Sequence, residues 1–423
     1  MSLAIGLSGL NAAKTDLEVT SNNIANSSTI GFKSGRAEFA DVYASSVSSG
    51  NNQGAGVKTA NISQQFAQGT ISYTNNALDM AINGKGFFII NNNGELNYTR
   101  AGFFSQDAEN FLVNNEGGRL QGFSADADGN ILAGTRTDIR IAQDSMPAQA
   151  TTNVTSSANL DSRKNEFSID GLTNHTVNPS DAGSFTDSLA FDVSDSLGGN
   201  HTITLYFSKL GFSSNIPTTP DNTWQVDMFL DGNAASTQRV GFNSSGSLEG
   251  IVDNTGALGT PAVRELNLSA VIGGADNLDI DIDISGFSQT GTDFSVNEVN
   301  QNGFPPGLLT GIQISEEGIV QARYSNSQVR TQGQITLANF ANPNGLINMG
   351  NSLWAASPDA GIPVTGIPGT GIVGSLETGA LEQSNVDLSG QMVRLIEAQS
   401  HFQANAKTIE TNNTLIQTLM NII

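Results

Sequence analysis

The residues able to do chemistry in this 423-residue chain are few and scattered. Its three histidines, His175, His201 and His401, stand alone, without the short, fixed spacing that transition-metal ligands need. There is no cysteine, which excludes disulfides, thiolate metal sites, cysteine nucleophiles and thiol-derived crosslinks. A G-x-G-x-x-G string runs from Gly369 to Gly374, but Pro363 and Pro368 precede it and no helical pattern follows. Dinucleotide binding needs a strand before the glycines and a helix after them, so the string reads as a loop. Two acidic arrays could attract a divalent cation. In Leu278-Asp279-Ile280-Asp281-Ile282-Asp283-Ile284 the period of two sends the aliphatic residues to a core and three carboxylates to the outer face. Ser124–Asn130 reads as a turn; both arrays lack the distal glutamate of an EF-hand loop. No nucleophile-elbow or phosphate-loop pattern occurs. The reading is a protein without catalytic, cofactor or metal residues.

What these residues sit on is more informative. Only 14% of residues are charged, the balance is −22, and 46 glycines punctuate short apolar runs. Such a surface repels phosphate backbones, so nucleic acid is excluded as a partner. No run approaches the ~18 apolar residues of a membrane span, and the start lacks the basic region of a Sec-type signal, its first lysine being Lys14. The expectation is a chain that is not membrane-inserted.

The ends differ from the middle. Leu3, Leu10, Leu17 and Ile24 recur at intervals of seven, with Leu7 in the first turn between them, which predicts a helix of about 20 residues. Leu388, Leu395, Phe402, Ile409, Ile416 and Ile423 form a longer ladder of the same period. Met392, Gln399, Ala406, Asn413 and Met420 run beside it, and two polar rungs of that kind fix register in coiled coils. Helices hold poorly without packing, so the ends are expected to pack on each other and on further copies of the chain. Between them lie β-like runs such as Gly86–Ile90, Arg119–Phe123 and Gln334–Leu337. Residues 149–304 hold 5 Lys and Arg against 19 Asp and Glu, the larger part of the negative balance. The fold expected is multidomain and mainly β, with paired coiled-coil-like terminal helices and nested β-domains. Residues 1–27 with 383–423 form the helical assembly domain and 28–72 a connecting segment. Residues 73–148 with 305–382 form an inner β-domain, and 149–304 an inserted, outer acidic β-domain.

One motif carries a family resemblance. Ser21-Asn22-Asn23-Ile24-Ala25-Asn26-Ser27-Ser28-Thr29-Ile30-Gly31-Phe32-Lys33 closely resembles the N-terminal signature of bacterial flagellar rod and hook proteins. Leu7–Ala13, Gln68–Thr70, Leu78–Ile82, Gly86–Phe88 and Tyr98–Gly102 follow in the family order. Near the other end Gly379–Leu388, with Ser384, Asn385, Val386 and Asp387, resembles the hook-protein approach to the last helix. Leu337–Phe340, Trp354–Ala356 and Phe402–Ala406 are similar too. The resemblance covers roughly 1–148 and 305–423. Ser400 and Asn412-Asn413 depart from it, beside or on the C-terminal ladder.

The resemblance implies a structural subunit of the flagellar axis, exported without a cleaved signal peptide. Such a subunit polymerises outside the cell into the tubular, bendable hook and couples the rod to the filament. It further implies as partners other copies of the chain, the distal rod protein, the hook–filament junction protein, the hook cap and the flagellar export apparatus. The alternatives are a distal rod protein of the same family and, from another class, a secreted β-rich adhesin or carbohydrate enzyme. Asn22, Asn23 and Asn26 compete with helical backbone bonds and are expected to end the first helix before Gly31.

Overall fold

A computed structural model describes residues 2–43, 54–170, 173–212, 222–253, 257–258 and 263–422. The chain divides into two compact units, one made of Met1–Gln143, Thr310–Arg323 and Val329–Ile423, the other of Asp144–Leu309 with Tyr324–Gln328.

In the first unit, helix α1 spans Ser2–Ala25 and helix α2 spans Leu388–Ile422. At 1.5 Å per residue they are about 36 and 52 Å long. Strands Gly35–Tyr43 and Gly54–Gln64 form an antiparallel ribbon that also contacts α1, so the segment between helix and β-domain is itself structured. A 13-stranded sheet follows, with Phe87–Asn92 between Arg119–Ser124 and Glu95–Thr99. Alternation along Phe87–Asn92 splits its side chains between two cores. Phe88 and Ile90 join Met80, Leu112, Leu120 and Ile335, whereas Phe87 and Ile89 join Tyr98, Phe340 and Trp354. Phe66 closes the second core edge-on to Phe87 and Trp354, with ring centroids 5.6 and 5.1 Å apart. The two chain passages through this unit are stitched by short antiparallel pairs, Met80–Asn83 with Ser375–Thr378 and Ile71–Tyr73 with Ala380–Glu382.

The second unit is a β-sandwich. One sheet carries Asn153–Asp161, Glu265–Ala270, Leu278–Asp283, Ser288–Thr290 and Ser295–Gln301. The other is built on Asn200–Phe212, Asn222–Leu230 and Asn233–Phe242, with Phe167–Ile169, Asp187–Ser194 and Leu248–Val252 beside them. Both sheets turn apolar faces into one core that includes Val154, Leu160, Leu205, Trp224, Met228, Ile280 and Ile282. Leu278, Ile280 and Ile282 are buried and Asp279 and Asp281 exposed, as the period of two requires. Residues 369–374 form a loop between Val364–Gly366 and Ser375–Thr378, with no helix after it. Asp126 holds the turn at 124–130, its carboxylate accepting from the backbone N–H of Asp128 and Asn130.

Candidate assembly interface

Helices α1 and α2 lie antiparallel, which the contacts between them establish: Gly6 faces Ile409, Gly9 faces Asn405, and Asn23 Nδ2 donates to Gln391 Oε1 at 3.1 Å. The seam on α1 consists of small residues. A Cβ built on Gly9 would stand 2.5 Å from Asn405 Oδ1, and one on Gly6 3.1 Å from Ile409 Cγ1. Without side chains at these two positions the α1 backbone comes close enough for Asn405 and Ile409 to pack directly on it. Ala12 and Ala13 are buried, as is Ala398 on α2. Together with Ile5, Phe39, Val57, Asp16 and His401 they line a 430 Å³ groove beside the seam. Burial pushes the Asp16 carboxyl up from its ordinary value, with Arg394 and His401 opposing the shift and Glu397 adding to it.

At its other end α1 is tied down by the signature residues. The helix stops at Ala25, and the Asn26 N–H still reaches the Asn22 carbonyl before the chain turns. Asn26 Nδ2 also donates to that carbonyl, and Asn26 Oδ1 accepts from Thr29 Oγ1. Asn23 does something different. Its side chain pairs with both backbone groups of Gly35, donating to the carbonyl at 2.8 Å and accepting from the N–H at 2.9 Å, while holding Gln391. One buried amide thus joins α1, the ribbon and α2. Gly31 adopts φ 69° where its backbone passes against Ala101, and its N–H donates to the Glu382 carbonyl.

Lys33 and Glu382 form the centre of this junction. Lys33 Nζ donates to Glu382 Oε1 at 2.5 Å and to the Ala67 carbonyl at 2.8 Å. Glu382 Oε1 accepts from the Gly69 N–H, and Oε2 accepts from Arg100 Nη1 at 3.2 Å. Arg100 Nη2 continues to the Gly84 carbonyl. Burial pulls the Lys33 ammonium and the Arg100 guanidinium down from their ordinary values, and Glu382 opposes both shifts. Asn385 accepts from the Ser34 N–H and donates to the carbonyls of Gln65 and Ala67. Ser384 is buried, and Val386 half-buried. Asp387 caps α2, its Oδ1 accepting from the Ser389 N–H.

The apolar ladders divide. Leu395, Phe402 and Ile409 are half-buried. Leu10, Leu17 and Ile24 on α1 are half-buried as well, whereas Leu3 and Leu7 are 44% and 51% exposed. Leu388, Met392, Ile416 and Met420 are exposed, Ala406 is half-buried, and Ile423 lies outside the described residues. Ser21, Asn22 and Ala25 are exposed, and Phe32 is half-buried. The heptad pattern did not disclose the small-residue seam, although Gly6, Gly9 and Ala13 at intervals of three and four carry its signal. Arg100 and Glu382 escaped too, since nothing in their local sequence marks a buried charge. Among the described residues no cluster of three metal-ligating side chains occurs, and no helix is long and apolar enough to cross a membrane.

This arrangement of paired terminal helices carrying β-domains inserted between them has counterparts among flagellar axial proteins. Residues 3–33 match the model for the flagella basal body rod protein and residues 377–422 that for the flagellar basal body rod FlgEFG protein C-terminal region. Residues 81–159 match the flagellar hook protein FlgE/F/G D1 domain, and 159–304 the flagellar basal body protein FlaE D2 domain. The chain is 38% identical to the flagellar hook protein FlgE of Salmonella typhimurium over 439 residues, covering all of both chains. It is 32% identical to that of Borreliella burgdorferi over 450 residues, covering 100% of this chain and 99% of the other. The crystal structure of Helicobacter pylori flagellar hook protein FlgE2 shares the fold at a TM-score of 0.53 and 17% identity, covering 74% of this chain and all of the other. These matches place the chain first in the class of flagellar axial proteins. Full-length identity above 30% goes further: the chain belongs to the flagellar hook protein family.

Proposed function

We propose that the chain is the structural subunit of the flagellar hook and polymerises through its terminal helices into a tube that couples rod to filament. The observation that carries this reading is an apolar face of α2 that the described residues leave uncovered. Met392, Val393 and Ile396 are 50%, 66% and 66% exposed, while Gln391, Asn405 and Ile409 of the same helix meet α1. Covering an exposed aliphatic side chain of this size is worth about 1.5–3 kcal/mol, and a helical polymer repeats that gain at every subunit. Residues 400–423 hold only Lys407 and Glu410 as formal charges, and these pair with each other at 2.9 Å. Neighbouring helices therefore meet little like-charge repulsion, and the acidic second unit is suited to face solvent.

Membership of the family supports a place outside the cell, in the hook, reached without a cleaved signal peptide. It also supports the distal rod protein, the hook–filament junction protein, the hook cap and the export apparatus as partners. The role needs no catalysis, cofactor or membrane insertion. Electron microscopy of the concentrated full-length chain tests the reading. Curved tubes are expected; straight tubes would indicate a rod subunit, and protein that stays monomeric at high concentration would overturn the proposal.

A further inference from the structure

His201 stands at the start of strand Asn200–Phe212 with a carboxylate at each ring nitrogen. Its Nδ1 lies 2.7 Å from Asp231 Oδ2 and its Nε2 3.3 Å from Asp195 Oδ2. A carboxylate is an acceptor only, and a neutral imidazole has a single N–H to donate. Both contacts are hydrogen bonds only when the ring is protonated. The two acids come from separate turns: Asp195 from the one joining Asp187–Ser194 to Asn200–Phe212, and Asp231 from the one joining Asn222–Leu230 to Asn233–Phe242. Both are otherwise committed to backbone. Asp195 Oδ1 accepts from the N–H of Leu197 and Gly199, and Asp231 Oδ1 from the N–H of Thr202. The ring separates the two acids, so the three groups form a linear clamp and not a chelate.

The turn at 195–199 also touches the place where the chain enters and leaves this unit. The incoming and outgoing segments are bridged at Met146 with Gly307 and at Gln149 with Phe304. Gly198 lies against both: a Cβ built there would stand 2.3 Å from Pro306 Cδ and 3.2 Å from Ala148 Cβ. Ser194, one residue before the turn, exchanges backbone and side-chain hydrogen bonds with Thr151. Ser196 Oγ accepts from the Asp276 N–H.

We propose that His201 is a protonation latch at the root of the β-sandwich. Charged, it holds the Asp195 turn to the Asp231 turn and so presses Gly198 onto the two root segments. Neutral, it presents a lone pair to one carboxylate, and the Asp195 turn is released. The described charged groups facing the ring are Asp195 and Asp231, with Asp192 one strand away on Thr202 Oγ1. All are acidic, so none opposes protonation, and their contacts raise the His201 pKa above its ordinary value. A raised folded value fixes the sign. The latch is fully closed below the ordinary histidine value near 6.5 and opens as the pH climbs through the higher folded one.

The test uses the full chain at concentrations below assembly. Nitrogen-15 spectra of the imidazole across pH 5–9 give the ring's charge, and hydrogen exchange resolved to residues 195–199 gives the state of the turn. The expected result is a ring protonated at both nitrogens in more than half of the molecules at pH 6.5, with a titration midpoint above that value. Exchange at 195–199, corrected for its intrinsic pH dependence, should rise several-fold through the same midpoint as the latch opens. Asp231→Asn should lower the midpoint, since it removes one of the two carboxylates that favour the charged ring. A ring that titrates at or below 6.5, or exchange that ignores the ring's titration, would overturn the latch. Should Asp231→Asn not fold, the wild-type titration and exchange profile decide the question alone.

Discussion

Lys33 and Glu382 are 349 positions apart, yet their charged groups meet at 2.5 Å with neither side chain exposed. The contact joins the segment that leaves α1 to the strand that leads into α2, and Arg100 pins the same carboxylate to the β-structure of the first unit. The signature residues of the N-terminal segment therefore serve an internal joint. Asn23, Gly31 and Lys33 hold the helical pair to the β-structure, and the surface proposed for other copies lies elsewhere on α2.

Glu382→Gln tests that joint. It strands two buried cations, and removing one partner of a buried pair costs about 3–5 kcal/mol. The first unit should lose thermal stability by several degrees or more in calorimetry, while the second unit melts where it did. Lys33→Met should cost less, because Arg100 still neutralises Glu382. Equal losses for the two variants would mean that Arg100 contributes nothing to holding the carboxylate.

The seam between the helices is set by the absence of side chains at Gly6 and Gly9. Gly9→Val would drive a branched side chain into Asn405, whose Oδ1 already lies 2.5 Å from a bare Cβ position. Overpacking of this kind costs typically 1–3 kcal/mol. Far-ultraviolet circular dichroism should show reduced helix signal with the β-units intact. Unchanged helicity would show that α2 can shift along α1 without loss.

Asp16 supplies a pH dependence. Burial raises its folded value, so its contribution to helix pairing is complete below the ordinary carboxyl value of about 4 and is lost as the pH rises through the folded value. At pH 7 the ionised carboxylate therefore opposes pairing, and Asp16→Asn should lower the concentration needed for assembly there. At pH 4 the variant and the wild type should converge. A higher assembly threshold for the variant at pH 7 would show that the attraction of Arg394 outweighs burial.

Where a feature depends on local periodicity, the sequence displays it. Both helices, the alternating strand Leu278–Asp283 with its aspartates outward, and the 369–374 loop follow from spacing and turn residues. The seam was hidden because leucines dominate a heptad reading, whereas two helices approach most closely where side chains are smallest. Leu3, the first rung of that stripe, and Leu7 beside it show the consequence, both being exposed. The Lys33–Glu382–Arg100 cluster was hidden for another reason. Its members come from three distant segments, and a buried charge is recognisable only once its partners share the same space. His201 likewise stands among Asn and Thr in sequence, and only folding brings Asp195 and Asp231 to its two nitrogens.

The central claim is that copies join through the outer face of α2. Ile396 is 66% exposed, and Thr408, also exposed on this helix, has its hydroxyl bonded back to the Ala404 carbonyl. Ile396→Asp and Thr408→Asp add the same charge to the same helix, and the decisive measurement is the amount of polymer each sediments as protein concentration rises. Ile396→Asp should shift assembly to at least tenfold higher concentration, since an ionised carboxylate in an apolar contact costs several kcal/mol. Thr408→Asp should stay close to wild type, and both should keep the thermal unfolding of their β-units. Sedimentation of Ile396→Asp at the wild-type concentration would contradict the claim.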